Sequence, residues 1–79
     1  MELPSHSMKT LFEQLGLAST EQAIEEFIDT HQLAEGSLIE DASFWSDGQR
    51  QFLVEERRED ADWAIWVDEL DALLHREAM

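Results

Sequence analysis

Three histidines, nineteen carboxylates and no cysteine are the groups with which this 79-residue chain could do chemistry. The histidines are the most versatile of these, since imidazole titrates near neutral pH and also ligates metals. His6 stands before the first helical pattern, where capping or turn formation is the simplest role. His31 closes an apolar stripe and is expected to pack half-buried. Asp71 and His75 lie at i and i+4, within reach of each other on one helix face. A single pair of that kind holds a metal only if further ligands converge on it. The Glu-x-x-His pairs of di-iron bundles and the His-Glu-x-x-His signature are both absent. No metal site and no cofactor are expected.

The remaining candidates are weaker. Glu55, Glu56, Glu59, Asp60 and Asp62 crowd one stretch, with Arg57 placed to reach Asp60 and Arg58 to reach Asp62. This reads as a solvated charge cluster, and the alternating acids of a calcium loop are missing. There is no Gly-x-Ser-x-Gly, no thiol nucleophile and no glycine-rich phosphate loop, so enzymatic activity is not expected. Gly36-Ser37-Leu38 superficially resembles the Asp-Ser-Leu setting in which acyl carrier proteins bear phosphopantetheine. Gly replaces the Asp here, and Ser46-Asp47-Gly48 interrupts the apolar pattern that follows.

The elements that must position these groups are helical. Leu, Ala, Glu and Gln are plentiful and β-branched residues few, a mixture that favours helix over strand. Met8, Leu11, Phe12 and Leu15 make one helical stripe, with Ser7 as N-cap and Gly16 as left-handed stop, giving a helix over about 8–15. Ser19-Thr20-Glu21-Gln22 reads as a capping box opening a helix over 20–31, with Ile24, Phe27, Ile28 and His31 on its inner face. From Gln32 to Trp45 the periodicity breaks, and an ordered loop with a short helical turn is expected. Ser46-Asp47-Gly48-Gln49 is a further capping box, starting a helix over 47–59 whose stripe is thin. Gln49 and Glu56 stand where apolar residues would be expected. A fourth helix over 61–76 is the most amphipathic. At about 100° per residue, Trp63, Trp66, Val67, Leu70, Leu73 and Leu74 fall within an arc of roughly 120°. Ile65 projects from the opposite side. No Gly or Pro separates the third and fourth helices, so one long kinked helix is the alternative.

Net charge narrows the partners. Nineteen acidic residues against five basic give −14, a field that repels nucleic acid and anionic membrane surfaces. The N-terminal MELPSHSMK lacks the basic-then-apolar pattern of a signal peptide, and the longest apolar run is Ala64–Val67. Cytoplasmic residence is the default expectation. With no cysteine, disulfides and thiolate zinc sites are excluded together. A chain this short must then rely on a well-packed core, a partner subunit, or both.

Several separated blocks carry a family likeness. They are His6-x-Met8-x-x-Leu11-Phe12-x-Gln14-Leu15-Gly16-Leu17, Phe27-Ile28-x-x-His31-x-Leu33, Phe44-Trp45 with Gln51-Phe52-Leu53, and Asp60-Ala61-Asp62-Trp63-Ala64 with Val67-Asp68-Glu69-Leu70-Asp71. Together they resemble the bacterial family called domain of unknown function 2789. The resemblance implies a helical single domain of bacterial origin and adds no reaction, substrate or cofactor. It draws attention to His6, Gln14, Trp45 and the Asp60–Asp62 pair.

The expected architecture is therefore all-α, one domain over 1–79, folded as a small irregular or orthogonal four-helix bundle. Its core is expected from Phe12, Leu15, Ile24, Phe27, Ile28, Phe52, Trp63, Val67, Leu70 and Leu74. The expected function is a non-enzymatic protein–protein interaction module, a homodimer being one form of it, with Trp45, Phe52, Ile65 and Trp66 as the partner-binding surface. The alternative is an acidic regulator or nucleic-acid mimic that binds a basic protein. An acyl-carrier-like role for Ser37 stands behind both.

Overall fold

Ser7 starts the first helix by accepting a hydrogen bond from the Thr10 backbone N–H, while its own N–H donates to Thr10 Oγ1 at 2.7 Å. In the computed structural model, which describes residues 6–77, this reciprocal cap opens α1, Met8–Gln14. The expected single domain spans 1–79, of which residues 1–5 and 78–79 lie outside the described range. Helix α1 ends in a Schellman turn: Gly16 takes φ +74°, its N–H donates to Glu13 O, and Leu17 N–H donates to Phe12 O at 2.9 Å. Leu17 then packs against the core.

Helix α2 covers Glu21–Thr30 and is capped by Thr20, whose side chain accepts from Ala23 N–H at 3.1 Å. The expected Ser19 cap is thus displaced by one residue. The cause is local: Thr20 has the extended backbone that aims its hydroxyl at the first free N–H groups. Helix α3, Asp47–Glu59, carries the full Ser46–Gln49 capping box. Helix α4, Ala61–Leu74, ends with its last apolar residue, two residues before the expected end at 76. Its terminal carbonyls are claimed by the segment after α2. Gln32 Nε2 donates to Leu73 O at 2.9 Å, and Leu33 N–H donates to Leu74 O at 2.7 Å.

Helices α3 and α4 are separate. Asp60 completes α3 by donating its N–H to Glu56 O and opens α4 by accepting from Asp62 N–H at 3.0 Å through its side chain. Its extended backbone (φ −130°, ψ 104°) makes the corner that glycine or proline would otherwise make. Helix α4 packs against α1, α2 and α3 and forms the axis of the bundle.

Leu11, Phe12, Leu15, Ile28, Leu53, Val67, Leu70 and Leu74 fill the interior together with Ile39, Ala42 and Trp45 from the long connection. Ile24, Phe27, Phe52 and Trp63, expected at the centre, sit half-buried around it. The connection turns inward through a 3-10 turn at Ile39–Asp41, which lays Ile39, Ala42 and Trp45 over the open end of the core. Among the described residues no strand is present, and no helix is long and apolar enough to cross a membrane.

Candidate interaction surface

Part of the apolar surface left uncovered by this packing lines a groove; Leu38, 55% exposed, lies apart from it in the long connection. The start of α1 supplies Met8, the start of α2 supplies Ile24, and α4 supplies Trp66. All three are half-buried, packed against the core. Between them runs an open groove of about 720 Å³. Next to Trp66 on α4, Ile65 is 63% exposed.

The polar groups of the groove walls are Ser7, Lys9, Ser19, Thr20, Glu21 and Glu25. Glu21 and Glu25 stand on the α2 side and Lys9 on the α1 side. The Lys9 charge is already taken: its Nζ donates to Glu13 Oε2 at 2.7 Å, and that hydrogen bond and charge hold the Glu13 carboxyl below its ordinary pKa. Glu25 lies 3.7 Å from Arg76, which is bound chiefly by Asp29. Glu21 makes no ion pair among the described residues, so the groove presents uncompensated negative charge.

The four residues expected to bind a partner have four different environments. Trp66 lines the groove, while Ile65, its neighbour in the chain, is exposed outside the groove lining. Phe52 is half-buried and meets Trp63 edge to face at 5.7 Å, away from the groove lining. Trp45 is only 4% exposed, and its Nε1–H donates to Ile39 O at 2.8 Å. It is a core residue, because the connecting loop folds inward and carries it beneath the surface. Met8 and Ile24 were not expected at the surface. Both stand at the N-terminal start of their stripes, a place that only the packing of three helices turns into a groove.

The other chemical groups act as staples. His6 packs edge-on against Trp63 at 4.2 Å, with Nε2 3.6 Å from Asp60 Oδ2, tying the entry of α1 to the α3–α4 corner. His31 stacks on Phe27 at 3.9 Å, a packing role. Arg57 reaches neither Asp60 nor any neighbour on its own helix. Its guanidinium meets Asp68 at 2.7 Å, Asp71 at 3.5 Å and Glu40 at 3.5 Å, because it points toward α4 and the 3-10 turn. Arg58 likewise makes no ion pair with Asp62.

Asp71 and His75 do meet, with Nδ1 3.0 Å from Asp71 Oδ1 and 2.7 Å from Asp71 O. The other ring nitrogen lies 2.7 Å from Ser37 O. Both nitrogens face acceptors, which an imidazolium satisfies with two donors. The hydrogen bond to Asp71 O chiefly raises the His75 pKa; partial burial opposes it, and Ser37 O and the Asp71 carboxylate reinforce it. The Ser37 carbonyl is thus engaged in structure, and the element after it is a three-residue 3-10 turn rather than a long helix. Among the described residues no three metal-ligating side chains converge.

A family model described as "Protein of unknown function (DUF2789)" matches residues 1–74, and the chain belongs to that family. No curated protein and no solved structure matches it.

Proposed function

We propose that this member of the DUF2789 family is a non-enzymatic protein–protein interaction module, whose binding surface is the groove floored by Trp66 together with the neighbouring Ile65. The observation that carries the reading is a half-buried indole that lines a groove with Met8 and Ile24, next in the chain to an aliphatic side chain 63% exposed. A lone exposed Ile is ordinary surface. An Ile beside a grooved Trp supplies the rigid apolar anchor on which interfaces concentrate their energy. The absence of nucleophile, phosphate-loop and metal motifs from the sequence supports a binding role over a catalytic one.

The test compares the chain with its Ile65→Ser/Trp66→Ala variant in two measurements. Light scattering at micromolar concentration reports self-association. Affinity capture with quantitative mass spectrometry reports other partners. The reading expects either a dimer or a set of captured proteins that the double variant loses. A monomeric wild type whose captured proteins are unchanged by the double substitution would refute it, provided the variant retains its helical circular dichroism.

A further inference from the structure

The geometry points to a basic amphipathic helix as the occupant of this groove: a segment that seats apolar side chains on Trp66, Met8 and Ile24 and carries Lys or Arg opposite Glu21 and Glu25. The inference rests on the groove being the interaction site and adds the chemistry of its partner.

Two observations select that partner. The first concerns backbone. The described residues offer no sheet edge, so an extended peptide entering the groove would find no ladder to replace the hydrogen bonds its amides make with water. A helix arrives with its backbone already satisfied and contributes side chains alone, the mode in which apolar residues at i, i+3, i+4 and i+7 fill a groove.

The second concerns charge. The chain has five cationic side chains, and four of them are held by its own carboxylates. Lys9 is bound by Glu13, Arg50 by Asp47, Arg57 by Asp68 and Arg76 by Asp29. Of the charged groups on the groove walls, Lys9 is held by Glu13 and Glu25 has only the long 3.7 Å contact with Arg76, which leaves Glu21 without an ion pair among the described residues. A second copy of the chain would bring another −14 charges to the contact, while a basic helix complements the walls and is steered toward them.

The experiment uses the whole ¹⁵N- and methyl-labelled chain and two acetylated, amidated peptides of about 18 residues, long enough to form helix. Both carry Leu at i, i+3, i+4, i+7 spacing; one has Lys at the remaining positions and the other Glu. The Trp66 indole N–H signal is assigned by its loss in Trp66→Phe. The Lys peptide is expected to shift that signal and the Met8 and Ile24 methyls saturably, leaving the Trp45 indole in place. Its affinity should fall about five- to tenfold in Glu21→Gln/Glu25→Gln. It should fall less than about twofold in Glu55→Gln/Glu59→Gln, which removes the same charge from α3.

Equal weakening by both double variants, or binding that leaves Trp66 unmoved, would mean diffuse attraction to an acidic surface and would overturn the inference. A Glu peptide that binds as tightly as the Lys peptide would overturn the charge selection while leaving the groove a binding site. If neither peptide moves Trp66 and the chain is a dimer with Trp66 protected, a second copy is the occupant. The helix inference then fails and the interaction reading stands. If neither peptide moves Trp66 and the chain is monomeric, the inference fails on its own evidence. The interaction reading then rests on whether the captured proteins depend on Ile65 and Trp66.

Discussion

Replacing Trp45 by Phe separates a buried anchor from a surface residue, and its cost follows from the contacts. The indole is 4% exposed and donates to Ile39 O at 2.8 Å. It lies between Phe27, at 5.7 Å, and Phe44, at 4.8 Å. Phe keeps one ring and both aromatic neighbours but loses the donor and part of the buried area. The hydrogen bond is worth about 1 kcal/mol net. Ile39 O retains the Ala42 N–H at 3.2 Å, so it is not left wholly unsatisfied and the larger orphan penalty does not apply. The lost ring atoms remove the equivalent of about two buried methylenes, roughly 1.5 kcal/mol. The total is about 2–3 kcal/mol. For a domain of this size that is roughly 12–18 °C in Tm.

Circular-dichroism melts of Trp45→Phe and of Ile65→Ala, checked by urea titration for an unchanged m-value, make the measurement. Ile65→Ala should stay within about 0.5 kcal/mol, since its side chain is largely in water. A Trp45→Phe loss as small as that of Ile65→Ala would refute the inward loop and return Trp45 to the surface.

Three further outcomes are expected. Gly16→Ala should cost about 1 kcal/mol in urea denaturation, because φ +74° disfavours a Cβ although nothing lies within 4 Å of where it would stand; a loss below about 0.3 kcal/mol would contradict the left-handed stop. Asp60→Ala should cost about 1 kcal/mol by removing the α4 cap, and Asp60→Asn should recover most of it, as read from melting curves; equal losses would point to the His6 ion pair instead. His75 has its folded pKa raised. Its contribution to stability is therefore fully present below the unfolded value of about 6.5 and is lost as pH rises through the higher folded value. The Tm difference between wild type and His75→Gln should shrink from about pH 5.5 to about pH 8.5; a constant difference would deny the two-donor arrangement.

Much of this fold is legible in the sequence, because its helices are signalled locally. Ser7, Gly16 and the Ser46–Gln49 box act within a few residues of themselves, and the spacing of apolar residues gives each inner face. The extra helix boundary at Asp60 is legible for the same reason, once an Asp that caps is recognised as enough to turn the chain. The loop from Gln32 to Trp45 is not legible in detail. Its apolar residues show no period because they follow the shape of the core rather than a helix axis, so Trp45 reads equally well as surface or interior. Arg57 is misread for a related reason. The i+3 spacing to Asp60 suggests a partner along the chain, but a long side chain on a packed helix can bind wherever carboxylates converge, here on α4 and the 3-10 turn.

Polar residues in apolar stripes illustrate what determines the remaining contacts. Gln49 interrupts the stripe of α3, yet its Oε1 accepts from Ser46 N–H while its Nε2 donates to Leu15 O, at the frayed end of α1. Gln32 spans in the same way between Ile28 O and Leu73 O, and its Oε1 accepts from Glu77 N–H. The Gln49 amide joins the N-terminus of α3 to the C-cap carbonyl of α1, and the Gln32 amide joins carbonyls at the C-terminal ends of α2 and α4. The gaps in the hydrophobic pattern are thus sites where helix termini meet, and their partners lie more than thirty positions away along the chain. Such bonds tie α1 to α3 and α2 to α4, the last two being the helices that carry Ile24 and Trp66. Replacing Gln32 by Leu should therefore disturb the groove as well as lower stability. A partner that binds the Gln32→Leu chain unchanged would show that the groove keeps its shape without this amide.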